Sequence, residues 1–368
     1  MSCASGTRPT GNSAVAYKVA ITGMGKRGGH HAAAFAKNKR FEVVAVCDPE
    51  QARLDKVPAD VAGAKKFTSA EAMIKEVKPD IFCFCTPPTI RLPLIKLGIQ
   101  SGAKMIAYEK PIALSMTEAI EVKKLVDAAG IKTVASHQHR YGDHYRKVRE
   151  IAASGVLGPI NTVYGTSPGW MMHMITHLVD LMRWYNGEAE AEWVMGQASG
   201  RGKLADVHPS PDYIGGMIHF ANGVRGYVET GAGVEDIPQV EKWWAKNRVG
   251  IKGDDGFAEA ITGGGWRSVT REGLKTGPGA MNYDLDMPPY VDEMADWLDN
   301  PAKVHQCNGN NAYKGFEIVM ALLRSVVERG QVALPLGPGE PELEALKKVV
   351  PEKKVLLSFE GNRKEFPA

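Results

Sequence analysis

Two groups of residues in this chain have side chains and spacings suited to moving a proton at a hydroxyl. The first is the run Tyr108-Glu109-Lys110-Pro111. A lysine ammonium donates to a hydroxyl and favours the alkoxide that develops as the proton leaves. Pro111 fixes its own φ and biases Lys110 towards extended backbone, which limits the directions its side chain can take. The second group is His173, His177 and Asp180, within Met171–Tyr185. Spacings of four and three place these side chains on one face of a helix. An imidazole has an ordinary pKa of ~6.5 and is the usual general base near neutrality. His177 is therefore expected to accept the hydroxyl proton. Asp180 has two readings, orienting His177 or pairing with Arg183 three residues on. His173 and His177 also have a metal-ligand spacing, but Asp180 is the sole further ligand nearby, and no metal is expected.

A proton acceptor and a cation need a partner to take electrons, and the N-terminal stretch supplies a place for one. In Val19-Ala20-Ile21-Thr22-Gly23-Met24-Gly25-Lys26-Arg27-Gly28 a β-prone run ends at a glycine turn, and the helix formers of Ala32-Ala33-Ala34-Phe35-Ala36 follow. Gly23 permits the tight turn, Gly25 lets backbone approach a pyrophosphate, and Gly28 lets helix and strand pack closely. The helix N-terminus then offers N–H groups to the anion, with Lys26 and Arg27 in the same turn. Asp48 ends a second strand, Phe41–Cys47, twenty residues after Gly28. A carboxylate there accepts the hydroxyls of an adenosine ribose and disfavours a 2′-phosphate, so NAD is expected over NADP; Arg53 nearby works against that preference. Cys85-Thr86-Pro87-Pro88 follows a third strand and is placed to line the cleft through Thr86 and Pro87, although turn formation alone also explains the prolines. Lys110 stands at the carboxyl end of a further strand, the edge where open α/β sheets bind ligands. His30 and His31 read as the solvated surface of the first helix.

These residues are positioned by βα alternation from Tyr17 to about Val134, with strands 18–22, 41–47, 80–85, 103–108 and 131–135. Helices are expected at 69–77, capped by Thr68, at 91–102 and at 117–129. That order implies a doubly wound parallel Rossmann sheet with right-handed crossovers. After Ser136 the pattern changes. Helices are expected at 144–154, 171–185, 291–298 and 312–329, a strand at 160–165, and a hairpin around Asn222-Gly223 joining 214–220 to 224–230. A glycine-rich β region covers 251–270. The C-terminal unit is thus read as α+β with a largely antiparallel open sheet. The division is a leader at 1–14, a dinucleotide-binding domain at 15–136, an α+β domain at 137–335, and a Pro- and charge-rich tail at 336–368.

The 368 residues are long enough for two cores, and 44% hydrophobic with 24% charged residues is ordinary for a soluble globular protein. A net charge of +3 from 45 basic and 42 acidic residues, without a basic block, argues against nucleic acid as a partner. No apolar run has the length of a membrane span, and residues 1–14 lack the features of a signal peptide. The five cysteines, Cys3, Cys47, Cys83, Cys85 and Cys307, show no paired metal spacing. Cys83 and Cys85 alternate with Phe82 and Phe84 and read as small hydrophobes. A reducing compartment, the cytoplasm, is expected. Trp243-Trp244 and Trp266 are candidates for a sugar platform or for core positions.

Taken in order, Gly23-x-Gly25-x-x-Gly28, Asp48, Thr86-Pro87, Glu109-Lys110-Pro111, Gln138-x-Arg140-Tyr141 and His177-Leu178-Val179-Asp180 make the chain resemble the Gfo/Idh/MocA family. The resemblance covers roughly the first half of the chain. It implies NAD(P)-dependent oxidation or reduction of sugars, polyols or cyclitols, with Lys110 and His177 on the family's catalytic positions. It also implies cofactor contacts from Glu109 and Lys110, substrate contacts from Gln138, Arg140, Tyr141 and Asp180, and a dimer or tetramer formed through the open sheet. Many members carry Asp where this chain has His173, which places His173 in the proton path or alters the chemistry. Many also have His near Arg91. Some relatives oxidise a glycoside, eliminate its substituent, add water and reduce again, so redox-neutral glycoside hydrolysis is the alternative. An NAD-binding regulator without turnover is the third reading.

Overall fold

A strand that is apolar along its length needs cover on both faces, and the centre of the first sheet is built from such strands. The computed structural model describes residues 16–205 and 208–352; the leader expected over 1–14 lies outside them, as do residues 353–368. The first unit runs β1 (Tyr17–Thr22), α1 (Lys26–Lys37), β2 (Phe41–Cys47), α2 (Gln51–Leu54), β3 (Lys65–Phe67), α3 (Ala70–Val77), β4 (Ile81–Phe84), α4 (Arg91–Gln100), β5 (Met105–Tyr108), α5 (Met116–Ala129) and β6 (Lys132–Ala135). Every pair in this sheet is parallel, in the order β3-β2-β1-β4-β5-β6. The order reverses between β1 and β4, which opens a crevice at their carboxyl ends. Ile81–Phe84 are completely buried, as their composition requires. The cap of α3 is Ser69, whose hydroxyl accepts the Ala72 N–H at 3.2 Å. Thr68, the expected cap, stands one residue too early to meet the N–H groups of that first turn.

The second unit continues α6 (Asp143–Ala153), β7 (Ile160–Ser167), α7 (Met171–Tyr185), β8 (Ala191–Ser199), β9 (Tyr213–Phe220), β10 (Arg225–Gly231), β11 (Arg248–Gly253), β12 (Gly256–Ile261), β13 (Gly265–Thr270) and β14 (Gly273–Gly277). It closes with α8 (Tyr283–Asp299), α9 (Gly309–Glu328), β15 (Val332–Ala333) and α10 (Glu342–Val349). Nine strands form one sheet, β14-β13-β12-β11-β7-β10-β9-β8-β15. It is antiparallel except where β10 runs parallel to β7. Helices α6, α7 and α9 pack against this sheet. Its other face carries the cross-strand row Met195, Met217, Tyr227, Tyr164, Gly250, Glu259, Arg267 and Thr276. Met195 and Tyr227 in that row are exposed.

Helix α8 begins eight residues before the expected start. Pro288 and Pro289 both lie inside the helix. The carbonyls they leave without ladder donors belong to Asp284 and Leu285, which are exposed, so the lost bonds cost little. Late in sequence, α8 packs on α1, and Arg40 binds the carboxylates of Asp292, Asp296 and Asp299 along it. The Ala135 N–H donates to the Cys307 carbonyl at 3.0 Å, a second tie between the units. The Pro- and charge-rich C-terminal stretch supplies α10, which packs on α9; its Glu342 accepts the Met116 N–H at 3.0 Å. No helix among the described residues is long and apolar enough to cross a membrane.

Candidate active site

The chain leaves β1 through Gly23 at φ 88°. A Cβ there would lie 2.5 Å from the Cys85 carbonyl oxygen, and one on Gly28 would lie 1.9 Å from the Gly23 oxygen. Only glycine fits either place. A Cβ on Gly25 would meet nothing within 4 Å. Gly25 is also the N-cap of α1 and contributes no side-chain acceptor, so the positive end of the helix faces free space. That cradle fits a pyrophosphate. Lys26 and Arg27 form the first turn beside it, the Arg27 guanidinium 4.3 Å from the centre of the Tyr283 ring. Asp48 is fully buried at the end of β2. Its carboxylate accepts the Met24 N–H at 2.8 Å and the Glu50 N–H at 3.0 Å, with the Arg53 guanidinium 3.5 Å away. Asp48 therefore braces the glycine turn.

The turns after β4 and β5 are joined by Arg91. Its side chain is fully buried and donates to the Pro111 carbonyl at 2.6 Å and the Thr86 carbonyl at 2.8 Å, lying over the Phe84 and Tyr108 rings. Burial lowers its pKa to about 10, so it remains a cation at neutral pH. Thr86 and Pro87 are held in this turn. Glu109 pairs with His31 at 3.3 Å. His31 is not surface: it is buried between α1 and the sheet, with Ser136 and Cys83 as further neighbours, because it lies on the same helical face as Phe35. Burial opposes charge on both groups of the pair. Even so, the Cys85 sulfur and Glu109 raise His31 to about 10, and His31 and Lys110 hold Glu109 down at about 2.

Lys110 reaches α7. Its ammonium donates to the His173 carbonyl at 2.9 Å, in the first turn of that helix. Burial, reinforced by the nearby Arg27 and Arg91 charges, brings Lys110 down to about 8. Helix α7 is buried almost all round, His173 and Trp184 being the partly exposed exceptions, so its side chains are fixed by packing. His177 lies one turn after His173 and stacks on His139 with ring centres 4.1 Å apart, with His137 edge-on at 5.4 Å. Burial, together with His139 and the Lys110 charge, holds His177 well below the usual imidazole range. His177 is thus neutral at physiological pH, and its Nδ1 is buried without a partner. His137 Nδ1 and the Thr176 hydroxyl are likewise buried without a partner, and these two residues line a recess with Pro111 and Asp180.

Asp180 departs from both of its expected partners. It takes a two-pronged bond from Arg140, at 2.8 and 2.7 Å, and its nearest imidazole is His137, at 3.8 Å. Arg183 instead lies 3.3 Å from Glu188 and donates to the Asn311 and Glu188 carbonyls. The remaining donors of Arg140 bind Glu188 and the Gln306 carbonyl, and the Tyr141 hydroxyl donates to Glu293 at 2.5 Å. Both side chains turn into the protein. Gln138 is buried and donates to the Tyr283 hydroxyl at 3.3 Å. The His173 ring packs on His208 and Trp243, at 4.4 and 6.0 Å. Trp244 joins a small cluster around Ile237 and Val240, and Trp266 lies on β13 near Lys147.

His137, His139 and Tyr283 complete the site and were not anticipated. The signal was present for the first two: His137-Gln138-His139 brackets Gln138, and only the central residue attracts attention as a motif. Tyr283 stacks on His30, 253 residues earlier, at 4.3 Å, a relationship that only the fold displays.

Residues 17–137 match the family model described as "Oxidoreductase family, NAD-binding Rossmann fold". The chain is 23% identical over 259 residues to the rhizopine catabolism protein MocA of Rhizobium meliloti, an alignment spanning 66% of this chain and 78% of that protein. It is 23% identical to the D-glucoside 3-dehydrogenase of Escherichia coli K12 over 58% of this chain and 69% of that enzyme. In three dimensions it resembles an oxidoreductase from Agrobacterium radiobacter solved with NAD+, L-tartaric acid and magnesium. The TM-score is 0.73 at 17% identity, covering 86% of this chain and 98% of that one.

Proposed function

This chain belongs to the Gfo/Idh/MocA family of oxidoreductases, and from that premise we propose that it moves a hydride between a sugar or cyclitol hydroxyl carbon and the nicotinamide of NAD. The observation that carries the reading is the bond from the Lys110 ammonium to the His173 carbonyl, which brings the cation of the first sheet to the helix bearing His177. When bound, NAD supplies the hydride acceptor. Gly23, Gly25, Lys26, Arg27 and Gly28 would hold its pyrophosphate, Asp48 its adenosine end, and Thr86, Pro87 and Glu109 the walls of its cleft. Lys110 donates to the substrate hydroxyl and stabilises the oxyanion. His177, neutral and with an unpaired nitrogen, accepts the proton. We assign Gln138, Arg140, Tyr141 and Asp180 to substrate binding; of these Asp180 lines the recess, held by Arg140. We place the enzyme in the cytoplasm, in keeping with free, buried Cys47, Cys83 and Cys307. We expect a dimer or tetramer through the open sheet face, where Met195, Tyr227, Val269 and Leu274 are exposed; light scattering checks this.

The second reading is redox-neutral glycoside hydrolysis, motivated by His173 standing where many members of the family carry Asp; its ring packs on His208 and Trp243. One assay separates the two. A panel of glycosides and cyclitols is incubated with NAD while NADH and free sugar are followed together. Stoichiometric NADH supports the dehydrogenase, and sugar release without NADH supports the hydrolase. Tight NAD binding with neither product overturns both in favour of an NAD-binding regulator. His173→Asp tests the residue itself: an unchanged pH–rate profile removes it from the proton path.

A further inference from the structure

Behind the glycine turn, the fold gathers soft ligands that the redox reading does not use. Cys83 and Cys85 are two residues apart across the end of β4, so their side chains share a face of the sheet. Helix α1 lays His31 over that face. One ligand atom from each of the three lies within 4.8 Å of the others, and Cys83 Sγ stands 3.9 Å from His31 Nδ1. A tetrahedral zinc ion with bonds of about 2.0–2.3 Å holds its ligand atoms roughly 3.3–3.8 Å apart. The group therefore needs a contraction of at most about 1.5 Å.

Two further features distinguish this group from ordinary buried thiols such as Cys47. His31 divides its nitrogens: Nδ1 faces Cys83, while Nε2 lies 3.3 Å from the Glu109 carboxylate. A ligating imidazole normally donates its other N–H to a carboxylate, which fixes its tautomer and strengthens it as a ligand. The second feature is Tyr290. Its ring stands edge-on to His31 at 5.9 Å, and its hydroxyl is completely buried without a partner. An orphaned buried hydroxyl beside two thiols and an imidazole is a group that an ion-bound water would satisfy.

We propose that His31 Nδ1, Cys83 and Cys85 form a binding site for a thiophilic divalent cation of the Zn2+ type, with Glu109 orienting the imidazole and the fourth position next to Tyr290. Two thiolates and an imidazole select such an ion over Mg2+ or Ca2+, which prefer oxygen. Binding converts both thiols to thiolates and leaves Nδ1 unprotonated, so protons pass to solvent as the ion enters. The bound ion would clamp α1 to β4. It requires no turnover and stands independently of the dehydrogenase reading.

The full-length, reduced protein is stripped with chelator and titrated with Co2+ as an optical probe. One Co2+ per chain is expected, with thiolate-to-cobalt absorption that Zn2+ abolishes. Cys83→Ser and Cys85→Ser should each weaken Co2+ binding at least tenfold, whereas Cys47→Ser should not. Absence of the band in the folded wild type, or its persistence in both β4 variants, overturns the site. Serine inside β4 is itself destabilising, so the wild type provides a second readout. Zn2+ should slow alkylation of Cys83 and Cys85 relative to Cys47 and Cys307, and equal relative rates with and without Zn2+ overturn the proposal.

Discussion

Asp180 on α7 and Arg140, forty residues earlier, form a buried two-pronged ion pair, with Nε to Oδ2 at 2.8 Å and Nη2 to Oδ1 at 2.7 Å. Neither side chain retains appreciable exposure. A buried charge that loses its partner is costly, whereas an apolar pair of similar volume often is not. Asp180→Ala should therefore cost about 3–5 kcal/mol in urea unfolding, and the double variant Arg140→Met/Asp180→Leu should recover most of that. A loss below about 1 kcal/mol for Asp180→Ala would show the pair to be unimportant to the fold.

The glycine turn allows folding and binding to be separated. Gly28→Ala puts a Cβ 1.9 Å from backbone and should destabilise by more than about 3 kcal/mol. Gly25→Ala enters free space and should keep the wild-type Tm, yet weaken NADH binding at least tenfold by fluorescence titration. Equal NADH affinities for Gly25→Ala and wild type would move the pyrophosphate elsewhere.

Lys110→Met should fold and bind NADH while losing hydride transfer by about 10²–10³-fold. The pH profile carries a second signature. Lys110 titrates at about 8, so the rate that its ammonium supports should fall above that pH. His177 is held well below the usual imidazole range, so no acid limb should appear near pH 6.5. Lys110→Arg, with an ordinary pKa above ~12, should move the alkaline limb beyond the assay range. An alkaline limb near 8 that persists in Lys110→Arg would assign it to another group.

Asp286, near the start of α8, is raised to about 7, chiefly by burial. The folded state thus holds this proton more tightly than the unfolded chain, where the ordinary value is ~3.9. The stability it contributes is full below about pH 4 and is lost as pH rises through 7. Asp286→Asn keeps the acceptor for the Asn282 N–H. It should gain about 1–2 kcal/mol at pH 8 and flatten the decline between pH 4 and 7, as read from urea melts. Parallel pH curves for the two proteins would show that Asp286 does not titrate in this range.

The first sheet was legible because its signals are local. Apolar runs, glycine spacing and helix formers recur at intervals of a few residues, and β2 and α7 have the bounds expected of them. Lys110 and His177 were legible as residue types at an expected edge and on an expected face. What sequence hid was partnership. Asp180 had Arg183 within reach on its own helix, but Arg140 reaches it in two-pronged geometry, and the competition was decided by packing. His31 read as surface because its neighbours Cys83, Glu109 and Ser136 come from three different strand ends. Strand β8 went unnoticed because Ala191–Ser199 mixes charge and glycine with its apolar residues, as suits a strand covered on one face only.

Arg91 has a consequence for engineering. Its guanidinium holds the carbonyls of Thr86 and Pro111, one on either side of it in sequence. A chimera with a crossover between residues 91 and 111 would inherit the arginine from one parent and the turn it grips from another. Segments exchanged between such genes should therefore run from before 86 to beyond 111, so that the two turns travel as a cassette.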